Sequence, residues 1–192
     1  MTSRTPEQIA QTKSQLLALI DELAVVRGKV TLSSGKEADY YLDLRRITLD
    51  YRSAPLVGDV MLDLFEEHGL LNDLDAAGGL TMGADPVGTA IMHASVQRNT
   101  PVDAFVVRKQ AKEHGMGRRV EGDVKGKRVI AVEDTSTTGG SVLTAVEALR
   151  EAGANVVAVA VVMDRGTGAK ERVEAEGLPY LIALSTADLG LE

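Results

Sequence analysis

The sequence predicts an α/β fold with a mostly parallel central sheet flanked by helices. Strand-like and helix-like segments alternate from about residue 75 to the end of the chain. Segments such as VVAVAVVM, residues 156–163, are apolar at every position. This pattern indicates burial on both faces, as in a parallel sheet covered by helices. The chain of 192 residues has no repeat or low-complexity linker, so we expect residues 1–192 to form one domain.

The first 52 residues precede this pattern and predict a helix followed by two extended pieces. Thr5 is the expected N-cap, a proline follows it, and Gln8 completes a capping box. Apolar residues at helical spacing continue this helix to about Val26. Residues 28–46, GKVTLSSGKEADYYLDLRR, predict two short strands around a turn at Ser34-Gly35.

The remaining residues, about 53–192, predict the α/β core. Its expected elements are, in order, a helix at 53–68, a strand at 75–80, a helix at 86–98, strands at 102–107 and 128–132, a helix at 140–152, a strand at 155–163, a helix at 168–176 and a strand at 179–184. Ligands of parallel sheets bind at the carboxyl ends of the strands. We therefore look for functional residues directly after each strand.

Composition narrows the class of function. There are no cysteines, which excludes thiolate nucleophiles and cysteine zinc sites and favours a reducing, cytoplasmic compartment. A net charge of −7 and only 3% aromatic residues disfavour a nucleic-acid partner. No apolar run approaches the roughly 20 residues of a membrane span, and no signal-peptide pattern begins the chain. We expect a cytoplasmic protein with small-molecule partners.

The stretch VIAVEDTSTTGGSVLTAV, residues 129–146, carries the strongest functional signal. An apolar strand ends in Glu133 and Asp134, and a hydroxyl- and glycine-rich turn leads into a helix. The glycines and the helix start suit a phosphate, whereas two carboxylates would repel one and suit ribose hydroxyls instead. Residues expected to hold the phosphate are Thr135, Ser136, Thr137, Thr138, Gly139, Gly140 and Ser141. The alternative is that Asp134 and Thr135 only cap the helix. No P-loop or G-x-G-x-x-G motif is present.

Residues 128–141, RVIAVEDTSTTGGS, resemble the signature of the type I phosphoribosyltransferases. The resemblance implies the type I phosphoribosyltransferase fold with a small N-terminal hood. It also implies the substrate phosphoribosyl pyrophosphate (PRPP), with its 5-phosphate at residues 135–141. The ribose hydroxyls would then meet Glu133 and Asp134.

A basic segment lies between the strands near 107 and 128 and resembles a loop of one particular subfamily. RKQAKEHG, residues 108–115, is similar to the RKxxKxHG loop of orotate phosphoribosyltransferases. This likeness implies that Arg108 and Lys109 lie near the pyrophosphate. Lys112 and His114 would close over the active site of a neighbouring subunit in a homodimer. We expect a mobile lid at about 108–122 whose cations stabilise the leaving pyrophosphate, although a solvated charged loop remains the alternative.

Two further segments resemble the orotate-binding parts of that family. SSGKEADYYLDLRR, residues 33–46, is similar to the family's hood, which implies that Tyr40 and Tyr41 border orotate. VVMDRGTGAKE, residues 161–171, matches the loop in which the family places an arginine against the orotate carboxylate; here this is Arg165, with Thr137 also near the base. Ordinary strand tyrosines and a surface arginine are the alternatives.

The resemblance implies Mg²⁺-dependent transfer of ribose 5-phosphate from PRPP to orotate. Lys109, Lys112 and Asp134 are the expected catalytic residues, and Mg²⁺ is expected on substrate oxygens and water, with no metal ligands among the side chains. Many relatives carry a lysine at the position of Ser33 and a Tyr-Lys pair at Met82 and Gly83. A phosphoribosyltransferase for another base, or a regulatory protein that only binds PRPP or a nucleotide, would share the phosphate loop.

Overall fold

The chain forms a six-stranded sheet with helices on both faces and a separate two-stranded sheet. This computed structural model describes residues 4–31, 37–110 and 118–191. The helices are α1 (Pro6–Leu23), α2 (Arg45–Thr48), α3 (Ala54–Glu67), α4 (Ala84–Gln97), α5 (Gly140–Glu151) and α6 (Ala169–Ala175). The strands are β1 (Val25–Thr31), β2 (Glu37–Leu42), β3 (Ala76–Leu80), β4 (Asp103–Val107), β5 (Val120–Glu121), β6 (Arg128–Ser136), β7 (Asn155–Asp164) and β8 (Tyr180–Ser185).

The large sheet has the strand order β5-β4-β3-β6-β7-β8. All its neighbouring strands are parallel except β5, which pairs antiparallel with β4. The predicted mostly parallel α/β fold is therefore confirmed. The carboxyl ends of β3, β4, β6 and β7 meet at one edge, which is the edge where ligands of such sheets bind.

Residues 129–132 of β6 show why the central parts of the core strands are apolar on both faces. Ile130 and Val132 join the core cluster that contains residues of α1, α3 and α4. Val129 and Ala131 point to the cluster that contains residues of α5 and α6. All four side chains are buried, so residues 129–132 of the strand have no polar face in this sheet.

Strand β3 approaches both of its neighbours so closely that glycine is required. A Cβ at Gly78 would lie 2.0 Å from the carbonyl oxygen of Phe105 in β4. A Cβ at Gly79 would lie 2.1 Å from the carbonyl oxygen of Val132 in β6. Real Cβ atoms do not approach backbone this closely, so the two glycines fix the spacing of three central strands.

The first helix begins as predicted and ends earlier. Gln8 N donates to Thr5 Oγ1 at 3.3 Å and Thr5 N donates to Gln8 Oε1 at 2.9 Å, which confirms the capping box. The helix ends at Leu23 instead of about Val26, because Val25 and Val26 pair with β2. Both valines are branched at Cβ, which favours a strand conformation at these positions. The predicted turn at Ser34-Gly35 lies outside the described residues.

Three other local predictions differ from the structure. Strand β6 continues beyond residue 132 to Ser136, because β7 pairs with it as far as Asp164. The segment 108–122 was expected to be structureless, but its described end contains β5, which pairs with Val106 and Val107. The short helix α2 was not predicted; it is a single turn within the segment DLRRIT. None of the helices in the described ranges combines the length and apolar character that crossing a membrane requires.

Candidate active site

A small pocket of about 70 Å³ opens at the carboxyl ends of β3, β4 and β6. Four predicted site residues line it together, namely Lys109, Glu133, Asp134 and Ser141. The other lining residues are Leu80, Thr81, Met82, Gly83, Ala84, Val132 and Val142. Residues from three strand ends and one helix start therefore converge on one cavity, at the edge that the parallel sheet predicts.

The two acidic residues at the end of β6 form a largely buried pair. Burial, reinforced by the neighbouring charge of Asp134, raises the pKa of Glu133 from its usual 4.5 to about 7. Burial also raises the pKa of Asp134, while the backbone N–H of Thr135 favours its charged form by donating to Asp134 Oδ1 at 2.8 Å. The pair is thus costly to ionise without a ligand and suited to accept hydrogen bonds from hydroxyl groups.

The raised pKa of Glu133 predicts that the ligand-free protein loses stability as pH rises. The folded chain binds this proton more tightly than the unfolded chain does, so the cost of ionisation develops between about pH 4.5 and about pH 7 and persists above it. We expect the free energy of unfolding to fall by up to about 3 kcal/mol across this window. The free energy of unfolding, measured by urea denaturation at each pH, should vary less with pH in Glu133→Gln than in the wild type. The exposed Glu67→Gln should keep the wild-type profile, and identical profiles for all three proteins would contradict the prediction.

Gly83 shapes the wall of the pocket opposite Asp134. Its φ is +139°, and a Cβ at this position would lie 3.0 Å from Asp134 Oδ1. The Gly83 N–H donates to Asp85 Oδ2 at 3.3 Å, and the peptide bond between Thr81 and Met82 is cis. Glycine therefore permits the backbone to pass directly beside the carboxylate pair.

The predicted phosphate loop runs from the end of β6 into α5. Gly139 has a left-handed φ of +73° and precedes the first residue of α5, Gly140, so the first N–H groups of this helix face the end of the loop. Thr137 and Thr138 are exposed, and Thr135 is half-buried. Ser136 differs from its neighbours, because its hydroxyl is buried and has no hydrogen-bond partner among the described residues.

Residues of the turn after β7 and of α6 donate hydrogen bonds to the backbone of this loop. Arg165 N donates to the carbonyl oxygen of Ser136 at 3.1 Å, and Thr167 Oγ1 donates to that of Thr137 at 2.5 Å. Arg172 of α6 donates to the carbonyl oxygen of Thr138 at 2.7 Å. The segments predicted to hold the phosphate and the base are thus joined by one backbone hydrogen bond and two hydrogen bonds from side chains to backbone carbonyl groups.

Two of the residues predicted to recognise the base, Arg165 and Tyr40, are in contact. The guanidinium carbon of Arg165 lies 5.5 Å from the centre of the Tyr40 ring, within cation–π distance. Tyr40 also packs against the core cluster of α1 and α3, whereas Tyr41 is exposed. The hood formed by β1 and β2 therefore touches the turn that carries the arginine.

The described part of the basic segment is held at the edge of the sheet. Arg108 N donates to the carbonyl oxygen of Arg119 at 2.7 Å, and Arg108 Nε donates to Glu121 Oε1 at 3.0 Å. Lys109 follows directly and lines the pocket. Lys112 and His114, the other predicted residues of this segment, lie outside the described residues.

Two charged residues beside the pocket were not predicted. Arg45 Nε donates to Asp43 Oδ1 at 2.8 Å, and the positive charge of Arg45 is near enough to Asp134 to favour its ionised form. Their signal in the sequence is the DLRR segment that follows the two tyrosines. The pattern alone did not show that the hood returns to the end of β6.

Comparison with known proteins identifies the family. The model of the phosphoribosyl transferase domain matches residues 47–176. An orotate phosphoribosyltransferase of Streptomyces avermitilis is 62% identical over 182 residues, which cover 94% of this chain and 98% of that protein. An orotate phosphoribosyltransferase of Streptomyces coelicolor is 60% identical over 186 residues, which cover 96% of this chain and all of that protein. The chain belongs to the orotate phosphoribosyltransferase family.

Solved orotate phosphoribosyltransferases share the fold. The Mycobacterium tuberculosis H37Rv enzyme in complex with Fe(III) dicitrate superposes with a TM-score of 0.84 at 56% identity, covering 94% of this chain and 99% of that one. A structure of the same enzyme with 5-phospho-α-D-ribosyl 1-diphosphate, which is PRPP, superposes with a TM-score of 0.80 at 52% identity. It covers 94% of this chain and 99% of that one. In the present phosphoribosyltransferase the matched domain contains the pocket and Arg165 but begins after Tyr40 and Tyr41.

Proposed function

We propose that the protein catalyses Mg²⁺-dependent transfer of ribose 5-phosphate from PRPP to N1 of orotate, giving orotidine 5′-monophosphate and pyrophosphate for pyrimidine biosynthesis. The observation that carries the proposal is the pocket in which a buried carboxylate pair, a lysine and a helix start converge. Names of relatives at 56–62% identity, all orotate phosphoribosyltransferases, support the choice of orotate. A structure of one relative with PRPP supports the second substrate.

The carboxylate pair and the phosphate loop would hold the ribose 5-phosphate. Glu133 and Asp134 accept hydrogen bonds from the two ribose hydroxyls, which replaces unfavourable buried charge with paired charge. The 5-phosphate lies against the backbone of residues 135–141, where the start of α5 favours an anion. This arrangement fixes C1 of the ribose while positive charge develops on the ring.

Cations of the basic segment would stabilise the departing pyrophosphate. Lys109 lines the pocket, and Arg108 is anchored beside it by Glu121. Lys112 and His114 are proposed to complete the set from a neighbouring subunit. Negative charge grows on the leaving group in the transition state, so these cations contribute more there than in the ground state.

Arg165 would recognise the carboxylate of orotate, with Tyr40, Tyr41 and Thr137 around the ring. The contact between Arg165 and the Tyr40 ring supports this proposal, because it holds the guanidinium at the hood. A planar guanidinium pairs with a carboxylate through two parallel hydrogen bonds. A base without a carboxylate could form neither of these two hydrogen bonds with Arg165.

The residues of the pocket fit a magnesium ion that arrives with its substrate. Among the described residues there is no cluster of three or more His, Asp or Glu side chains that would form a protein-built metal site. Glu133 and Asp134 provide negative charge beside the pocket, while pyrophosphate and ribose oxygens with water would supply the ligands that Mg²⁺ prefers. The bound ion would neutralise charge on the leaving pyrophosphate.

The assay that tests this proposal follows the ultraviolet absorbance of orotate mixed with PRPP and the protein. We expect consumption of orotate with Mg²⁺ and at least about 100-fold less without it, because the ion neutralises charge on the leaving pyrophosphate in addition to the cations of the basic segment. Uracil, adenine and hypoxanthine serve as matched bases without the carboxylate. Turnover of one of these bases in preference to orotate would contradict the proposal.

We also propose that the enzyme is a homodimer. A groove of about 690 Å³ is lined by apolar and polar residues of α3, α4 and the segment Thr48–Tyr51. Leu49 and Tyr51, which line it, are 72% and 85% exposed, and this is unusual for such large apolar side chains. The groove residue Asp85 follows shortly after Met82, which is 78% exposed and lines the active-site pocket. A second copy on this groove would therefore lie close to the pocket, as residues acting across an interface require.

The dimer predicts that a charge in this groove impairs both assembly and activity. We expect Leu49→Glu to sediment as a monomer and to lose at least about tenfold in turnover, since burying an unpaired charge is unfavourable. Ala18→Glu on the exposed face of α1 is the control and should remain dimeric. Sedimentation of a fully active wild-type monomer would contradict the proposal.

Composition supports a cytosolic enzyme that acts on small molecules and not on nucleic acids or membranes. The chain has no cysteine, a net charge of −7 and few aromatic residues. Cell fractionation tests the compartment. Activity that sediments with membranes, or that is removed by nuclease treatment, would argue against it.

A further inference from the structure

Asp164 is a buried carboxylate directly before the arginine of the base-binding turn. It ends β7 and its residue surface is only 9% exposed. Tyr180 of β8 donates its hydroxyl to Asp164 Oδ1 at 2.9 Å. The backbone N–H of Gly166 donates to Asp164 Oδ2 at 3.1 Å. Each carboxylate oxygen thus has a separate donor.

These bonds surround Arg165 on the chain. On its N-terminal side, Asp164 accepts a hydrogen bond from Tyr180, and on its C-terminal side, Gly166 donates one to Asp164. The backbone N–H of Arg165 itself donates to the carbonyl oxygen of Ser136. Backbone freedom at the arginine is therefore restricted on both sides. The direction in which its side chain leaves the turn, toward the ring of Tyr40, depends on this restriction.

Tyr180 reaches Asp164 from the neighbouring strand and from within the core. It is 7% exposed and belongs to the cluster that contains α5 and α6 residues. Burial raises the pKa of Tyr180, so its hydroxyl remains a proton donor across the neutral range. In the described ranges no lysine or arginine forms an ion pair with Asp164. The charge of Asp164 is therefore balanced by neutral donors, of which Tyr180 is one.

We propose that Tyr180 and Asp164 are a positioning pair that fixes Arg165 for the carboxylate of the base. Neither residue lines the pocket, so the pair acts on Arg165 through the turn. The inference rests on the proposed contact between Arg165 and orotate. It extends base recognition to a strand, β8, that lies outside the pocket.

The first test is Tyr180→Phe, which removes one hydroxyl and keeps the ring in the core. We expect the KM for orotate to rise at least about fivefold, because a hydrogen bond to a buried charge is lost. The KM for PRPP should change less than about twofold. A role confined to stability would leave both KM values unchanged or raise them together, and either result would overturn the proposal.

Ser95→Ala is the matched control for loss of a buried hydroxyl. Ser95 Oγ donates to the carbonyl oxygen of Met92 at 2.7 Å and accepts from Val102 N at 3.0 Å, away from the pocket. This variant should unfold at a lower temperature and keep the wild-type KM for orotate. If Tyr180→Phe fails to fold, Asp164→Leu replaces it, since a leucine of similar size accepts a hydrogen bond from neither Tyr180 nor Gly166 N.

A double-mutant cycle separates this inference from the role proposed for Arg165. If Tyr180 acts through Arg165, the double variant Tyr180→Phe/Arg165→Ala should have the same KM for orotate as Arg165→Ala alone. Additive effects would overturn the positioning role. If Arg165→Ala raises this KM and Tyr180→Phe does not, the positioning pair fails and the proposed function stands. If Arg165→Ala leaves it unchanged, the contact with orotate fails and the inference fails with it.

Discussion

Replacing Asp134 with asparagine is expected to lower kcat/KM for PRPP by at least about 100-fold. Asp134 is largely buried beside Glu133 and its pKa is raised by that burial, so its charge is costly without a ligand. Hydrogen bonds from ribose hydroxyls to a charged oxygen contribute about 1.5–3 kcal/mol each. Loss of about 3 kcal/mol corresponds to the expected factor.

Initial rates over a range of PRPP concentrations test this expectation. Asp123→Asn makes the same chemical change at an exposed carboxylate that forms an ion pair with Lys127 at 3.4 Å, and it should retain wild-type kinetics. Thermal melting of both variants checks that each is folded. A folded Asp134→Asn enzyme with unchanged kinetics would show that the carboxylate does not hold the ribose.

Gly79→Ala is expected to destabilise the fold by about 3 kcal/mol or more. Its Cβ would lie 2.1 Å from the carbonyl oxygen of Val132 and 2.7 Å from the Cβ of Ala84. A backbone carbonyl in the centre of a sheet cannot turn away as a flexible side chain does, so β3 and β6 must separate. Because the pocket is built on the ends of these strands, activity should fall as well.

Gly69→Ala provides the comparison for this variant. Gly69 has a positive φ of +67° but no atom within 4 Å of the added Cβ, so only the backbone cost of about 1–2 kcal/mol applies. Denaturant midpoints of the two variants should therefore differ clearly. Equal midpoints would mean that the spacing of β3 and β6 adjusts to a methyl group.

The elements that local sequence predicted are those whose signal lies within one segment. Strand β7 is apolar at every position from 156 to 163 and α1 carries its own capping box, so both were expected and both are present. The carboxylates at 133 and 134 were recognised from one continuous stretch. Their gathering with Lys109 followed from the rule that parallel strands end at one edge.

The features that were missed depend on contacts between distant segments. Strand β5 has only two residues and exists because β4 offers an open edge for it. The hydrogen bond of Tyr180 to Asp164 joins residues 16 apart on adjacent strands. The burial of the Ser136 side chain likewise depends on the pairing of β6 with β7, which continues through this residue. Propensity and periodicity describe segments and do not report such pairings.

The two-stranded sheet of β1 and β2 shares no strand pairing with the six-stranded sheet. It carries Tyr40 and Tyr41, whereas the phosphate loop and the carboxylates belong to the central strand β6. Under the proposed function, most of the base recognition comes from this hairpin and the turn at Arg165, whereas the sugar phosphate is bound at the end of β6. We therefore expect that exchange of the hairpin and this turn, in evolution or by engineering, would change the preferred base and leave the binding of PRPP in place.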